Sequence, residues 1–146
     1  MLLLNVQAEQ LKIVAKSFNG DEKSGISVFK GDVKIKKGYD ELNASIVKVF
    51  TNAKNTPTKY VAIGNVSFFI KTEGSAIYKG KAGKAIFYPL KKEYHFYENV
   101  DIQQIDEKKH IMGEEVIVST IAGQAHATGS DNKPVVMTFE LQEDKK

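Results

Sequence analysis

The chain contains no cysteine, and all 21 of its cationic residues are lysine. The first absence excludes disulfides, thiol catalysis and thiolate metal sites, and leaves the redox compartment unmarked. The absence of arginine removes the bidentate guanidinium fork that reads phosphates and guanine edges, so a net charge of +3 does not point to nucleic acid. No apolar run approaches the 18 residues of a membrane-spanning helix. Catalytic patterns are missing as well. His95, His110 and His126 stand singly, without the spacing that builds a metal site, and no Gly-x-Ser-x-Gly elbow occurs. Gly80-Lys81-Ala82-Gly83-Lys84-Ala85 lacks both the upstream Gly and the Ser or Thr of a phosphate loop. Glu114 and Glu115 are adjacent, and so lie on opposite faces of a strand, the wrong arrangement for a catalytic pair. The expectation is a non-catalytic protein with no cofactor and no metal.

What the chain does have is a recurring phrase. Gly31-Asp32-Val33-Lys34-Ile35, Gly64-Asn65-Val66-Ser67-Phe68 and Glu98-Asn99-Val100-Asp101-Ile102 start 64−31=33 and 98−64=34 positions apart. Each is a turn-prone pair followed by alternating apolar and polar residues. A period of that size marks stacked supersecondary units, none of which can bury its apolar face alone. Turn signals divide the chain at nearly even spacing: Asn19-Gly20-Asp21, Lys37-Gly38, Asn55-Thr56-Pro57, Glu73-Gly74-Ser75, Pro89 to Lys92, Asp106 to Lys109, and Gly129 to Asn132. Passes of about 13 residues at about 3.3 Å per residue would be unusually long flat strands, so each should bend midway. The bends fall at Gly31 and Gly64 in one set of strands. In the other set they fall within Ala15-Lys16-Ser17-Phe18, Ala44-Ser45-Ile46-Val47, Ala82-Gly83-Lys84-Ala85 and Gly113-Glu114-Glu115-Val116. If every pass bends at the same level, the sheet folds over on itself.

Alternation gives that sheet an oily and a wet face. Val33, Ile35, Val47, Val49, Val66, Phe68, Ile70, Phe87, Val100, Ile102, Val116 and Val118 form the inner set, and Lys34, Lys36, Lys48, Ser67, Lys84, Asp101 and Ile117 the outer. Tyr94-His95-Phe96-Tyr97 splits into two inward residues and a surface stripe. No segment makes a convincing helix; the best candidate, 103–115, carries a charged turn cluster and a Gly. An oily interior between two leaves either packs as a core or leaves a slot for apolar ligands. At the N-terminus, Leu2 to Leu4 followed by Val6 and Ala8 read as the remnant of an export signal. The expected organisation is residues 1–8 as that remnant, 9–141 as one β-domain and 142–146 as a charged tail.

Repeated small-x-x-apolar strands followed by Gly-Asp/Asn-Val-apolar alternation resemble the OstA-like repeat of the periplasmic lipopolysaccharide-transport family of LptA. Tyr60-Val61-Ala62-Ile63-Gly64-Asn65-Val66 is the best single match, and the resemblance covers residues 10 to 120. Two departures fall at the bends: Glu98 stands where the repeat has Gly, and Gly83 where it usually has an acidic residue. The resemblance implies an all-β fold, an open, twisted β-jelly roll in the periplasm. It implies that the twelve inner residues named above contact the acyl chains of lipid A. It also implies end-to-end strand pairing into a head-to-tail oligomer, with LptC-like inner-membrane and LptD-like outer-membrane components as partners and no nucleic acid. Leu11, Ile13, Val136 and Phe139 then belong to the pairing edges. Two other functions remain open: an LptC-like domain of the same pathway, and a structural β-repeat protein with a filled core that binds polysaccharide or a protein partner.

Overall fold

The computed structural model describes residues 10–141, so the export-signal remnant at 1–8 and the tail at 142–146 lie outside the described residues. Those residues form ten strands and no helix: β1 (Leu11–Val14), β2 (Ser17–Asp21), β3 (Ile26–Lys37), β4 (Asp40–Thr51), β5 (Pro57–Lys71), β6 (Ile77–Tyr88), β7 (Glu93–Gln104), β8 (Lys109–Ser119), β9 (Ala125–Thr128) and β10 (Val136–Phe139). They make one antiparallel sheet in which β3 to β8 pair in chain order. β1 and β2 lie along the two halves of β3, and β9 and β10 along the two halves of β8. The sheet therefore ends at the first strands on one side and the last strands on the other, and does not close into a barrel.

The turn signals place most hairpins correctly. Asn19-Gly20 is an exception, since both lie inside β2, and the chain turns instead at 22–25, where Asp21 Oδ1 accepts the Lys23 amide and Gly25 takes a positive φ. The turn at 120–124 closes on Gly123, also at positive φ, and has no proline or Asn-Gly to mark it. Segment 103–115 is a hairpin, as its charged turn cluster implied.

The recurring phrase is the crease. Gly31 and Asp32 have φ of 88° and 43°, Gly64 and Asn65 88° and 46°, and Glu98 and Asn99 68° and 52°. Two successive left-handed residues leave the ladder, and the pairing register slips at this level in every pair from β3–β4 to β7–β8. Such bulges bend and twist a strand, and stacked at one level they fold the sheet into two leaves. Gly tolerates this conformation without steric cost, while Asp and Asn are the side chains that visit it most readily.

The intervening strands bend without a left-handed pair, and their inward residues shift phase instead. Leu42 and Ala44 face the interior before the crease and Val47 and Val49 after it, Ala82 gives way to Ala85, and Ile111 to Val116 and Val118. The small-x-x-apolar phrase thus spans two residues of a crease that point away from the core.

Candidate lipid-carrying interior and pairing edges

All twelve inner residues named from the sequence lie between the leaves. Val33, Val47, Val66, Ile70, Val100, Ile102, Val116 and Val118 are each no more than 1% exposed; Val49, Phe68 and Phe87 are buried, and Ile35 is half-buried. The outer set is on the other face, where Lys34 and Lys36 are exposed. Tyr94 and Phe96 point inward, and His95 and Tyr97 outward. Sequence reasoning did not assign the lining residues Leu42, Ala62, Tyr78 and Ile111, although each continues the alternation of its own strand.

The interior is filled along most of its length, so the open slot is not what the structure has. Phe68, on the lower leaf formed by 33–37, 40–44, 66–71, 77–82, 100–104 and 109–113, stacks on Phe96 of the upper leaf formed by the other halves of β3 to β8, with ring centroids 3.8 Å apart and planes at 17°. Phe96 leads to Tyr94 at 6.0 Å, Tyr94 to Phe87 at 4.5 Å, and Phe87 to Tyr60 at 6.0 Å. Apolar side chains facing each other across a folded sheet collapse toward crystal-like density, because a dry gap forfeits dispersion contacts on both walls. An apolar cavity of about 30 Å³ lies among Leu11, Ile35, Leu42, Tyr60, Ala62, Ala85, Phe87 and Tyr94. Pockets that hold small ligands run to about 300–1,000 Å³, so an acyl chain fits here only if the leaves part.

Polar groups lie at the rim of this cavity. Lys37 and Asp40 contribute to its wall, the Tyr94 hydroxyl donates to Asp40 Oδ2 at 2.8 Å, and Asp40 Oδ1 accepts the Lys71 amide at 3.0 Å. The Lys37 ammonium is 5.0 Å from the centre of the Phe87 ring. Burial raises the Tyr60 hydroxyl above its ordinary pKa, so it stays protonated at neutral pH. The three histidines show no metal arrangement: His95 contacts Glu93, His110 contacts Asp101 across β7 and β8, and no cluster of metal-ligating side chains exists among the described residues.

Leu11 and Ile13 lie on β1, and Val136 and Phe139 on β10, the outermost strands. Edges are normally blunted by charge, bulges or cover, because their free backbone groups template pairing with another chain. Here Val14, Phe18, Val136, Met137 and Phe139 are all exposed along the two edges.

Among the described residues, a folded-over antiparallel sheet with a buried apolar interior and edges that do not meet defines an open β-jelly roll. The family model described as "LptA/(LptD N-terminal domain) LPS transport protein" matches residues 12–124, and the chain belongs to that family. Among solved structures it is similar to LptH of Pseudomonas aeruginosa, described as the LptA homologous periplasmic component of the lipopolysaccharide transport device. That match has a TM-score of 0.80 and 16% identity over 91% of this chain and 96% of that one. A search of curated proteins finds no match.

Proposed function

We propose that this chain is a non-catalytic periplasmic carrier of lipopolysaccharide that takes lipid A acyl chains between its leaves. In this reading it bridges LptC-like inner-membrane and LptD-like outer-membrane components by strand pairing at its edges, and residues 9–141 form one domain. The observation that carries the reading is the combination of a continuous apolar lining with two sheet edges, on opposite sides, that no other described segment covers. Family membership supplies the transported molecule, and physics supplies the need. Exposing acyl carbons to water costs about 0.8 kcal/mol per CH₂, so a chain of a dozen carbons needs a shelter worth on the order of 10 kcal/mol. Parting the leaves exchanges side-chain packing for lipid packing of similar polarity.

The test compares lipopolysaccharide binding by inner and outer variants. Ile35→Asp, at the cavity, and Phe68→Asp should weaken binding by tenfold or more, whereas Lys34→Asp on the outer face should change it less than threefold. Equal losses refute the interior site. Ile35 is half-buried and so tolerates a charge better than Phe68, which keeps the comparison on folded protein. For the edges, light scattering over a concentration series should show growing linear oligomers, and a strict monomer at high concentration refutes pairing.

A further inference from the structure

The hairpin tips are the points of each leaf farthest from the crease, so contact between tips closes the mouth of the fold. One such contact is unusually elaborate. The tip at 72–76, from the lower leaf, meets the tips at 89–92 and 119–124 from the upper leaf. The Glu73 amide donates to the Thr120 carbonyl at 2.8 Å, the Tyr78 hydroxyl donates to the Gly123 carbonyl at 2.8 Å, and the Lys92 ammonium lies 3.5 Å from Glu73 Oε1.

Each partner is braced before it meets the other. Thr72, only 4% exposed, accepts the Ala76 amide on its hydroxyl at 3.0 Å, and its own amide donates to the Ala76 carbonyl at 2.9 Å. Across the mouth, the Lys92 carbonyl accepts both the amide and the hydroxyl of Thr120, each at 2.9 Å, and the Gly123 amide donates to the Ser119 carbonyl at 2.9 Å. At Gly123 the two sides also come close: a Cβ built there would lie 3.3 Å from Thr72 Oγ1 and 3.7 Å from the Ala76 methyl. Tyr78 is 1% exposed, and burial with nearby Asp106 and Glu107 raises its pKa, so its hydroxyl remains a donor through the physiological range.

We propose that the tips at 72–76 and 119–124 are a clasp that holds the mouth of the jelly roll shut and must unfasten for an acyl chain to pass sideways between the leaves. The proposal rests on the carrier reading above. Its logic is that two rigid turns joined by a few directional hydrogen bonds separate as units, whereas a mouth sealed by side-chain packing alone would open residue by residue. The clasp is also peripheral to the Phe68–Phe96 stack, so releasing it leaves the crease intact.

The chain has no native thiol, so Ala76→Cys with Gly123→Cys gives a single possible crosslink across the mouth. The 3.7 Å separation at these positions falls within the about 3.5–4.5 Å spanned by disulfide Cβ atoms. Oxidised protein should bind lipopolysaccharide at least tenfold more weakly than the same variant reduced, with an unchanged β-sheet circular dichroism spectrum. The reduced form carries the same strain at position 123 and is the reference. Equal binding by the two forms overturns the clasp and leaves the carrier reading standing. No binding by wild type or by either form overturns the carrier reading and the clasp with it. Tyr78→Phe supplies a lipid-free readout: amide exchange at Glu73 should speed up at least tenfold, and an unchanged rate overturns the clasp.

Discussion

Glu98 and Gly83, the two departures from the repeat, occupy one contact, and their coupling can be measured. In the first two creases a Gly on the bulged strand faces a side chain on its neighbour. A Cβ added to Gly31 would come within 2.8 Å of Lys16 Cβ, and one added to Gly64 within 3.0 Å of Ser45 Cβ. In the third crease the bulge carries Glu98, and the Gly has moved to the neighbour. A Cβ added to Gly83 would come within 2.8 Å of Glu98 Cβ. Each crease has room for one side chain at this point, and the third has exchanged which strand supplies it.

Gly83→Ser alone forces a second Cβ into that space, at a cost of about 1–3 kcal/mol by overpacking. Glu98→Gly alone frees a residue held at φ of 68°, a gain of about 1–2 kcal/mol. A greater loss of chain entropy on folding offsets about 0.5–1 kcal/mol of that gain, so the net change should be a gain of about 0 to 1.5 kcal/mol over wild type. The double variant rebuilds the Gly64–Ser45 arrangement and should recover most of what Gly83→Ser loses, a coupling of about 1–3 kcal/mol. Urea and thermal unfolding followed by circular dichroism measure all four corners. At about 2–4 °C per kcal/mol for a chain of this size, Gly83→Ser should lower Tm by about 2–12 °C. Single costs that add to within about 0.5 kcal/mol in the double variant refute the shared-space argument.

Three further outcomes are expected. Phe96→Ala removes the fully buried partner of Phe68 and should destabilise by about 3–5 kcal/mol in urea unfolding; a loss under 1 kcal/mol would mean that the leaves do not rely on that stack. Tyr60, Tyr78 and Tyr97 all have raised pKa values, chiefly through burial. The folded state therefore holds their protons more tightly, and stability is fully present below pH 10 and falls as pH rises above it. Tyr78→Phe should flatten that alkaline decline in unfolding free energy measured against pH, and an unchanged slope contradicts the assignment. Gly31→Ala and Gly64→Ala, both at φ of 88°, should each cost more than Gly74→Ala, where a Cβ meets nothing within 4 Å; equal effects in thermal melts would show that the crease does not need left-handed residues.

Local chemistry determined the all-β class, the 33-residue period, the level of the crease and the inward set, because each depends on neighbours a few positions apart. Gly-Asp and Gly-Asn pairs specify left-handed backbone by their own sterics, and Val33, Val66 and Val100 restart the alternation directly after each pair. The same locality explains the mistaken turn at Asn19-Gly20, a pair that satisfies turn chemistry while strand pairing to Ser27 and Val28 holds it extended. Only the tertiary structure decided how closely the leaves meet, that Glu98 and Gly83 share one space across 98−83=15 positions, and that Thr72 and Ala76 reach Gly123. The Glu98–Gly83 contact depends on the register in which β6 pairs with β7, and the contacts between leaves depend on the angle at which one leaf crosses the other, which is summed over every bulge and twist along the sheet and is written in no single stretch of residues.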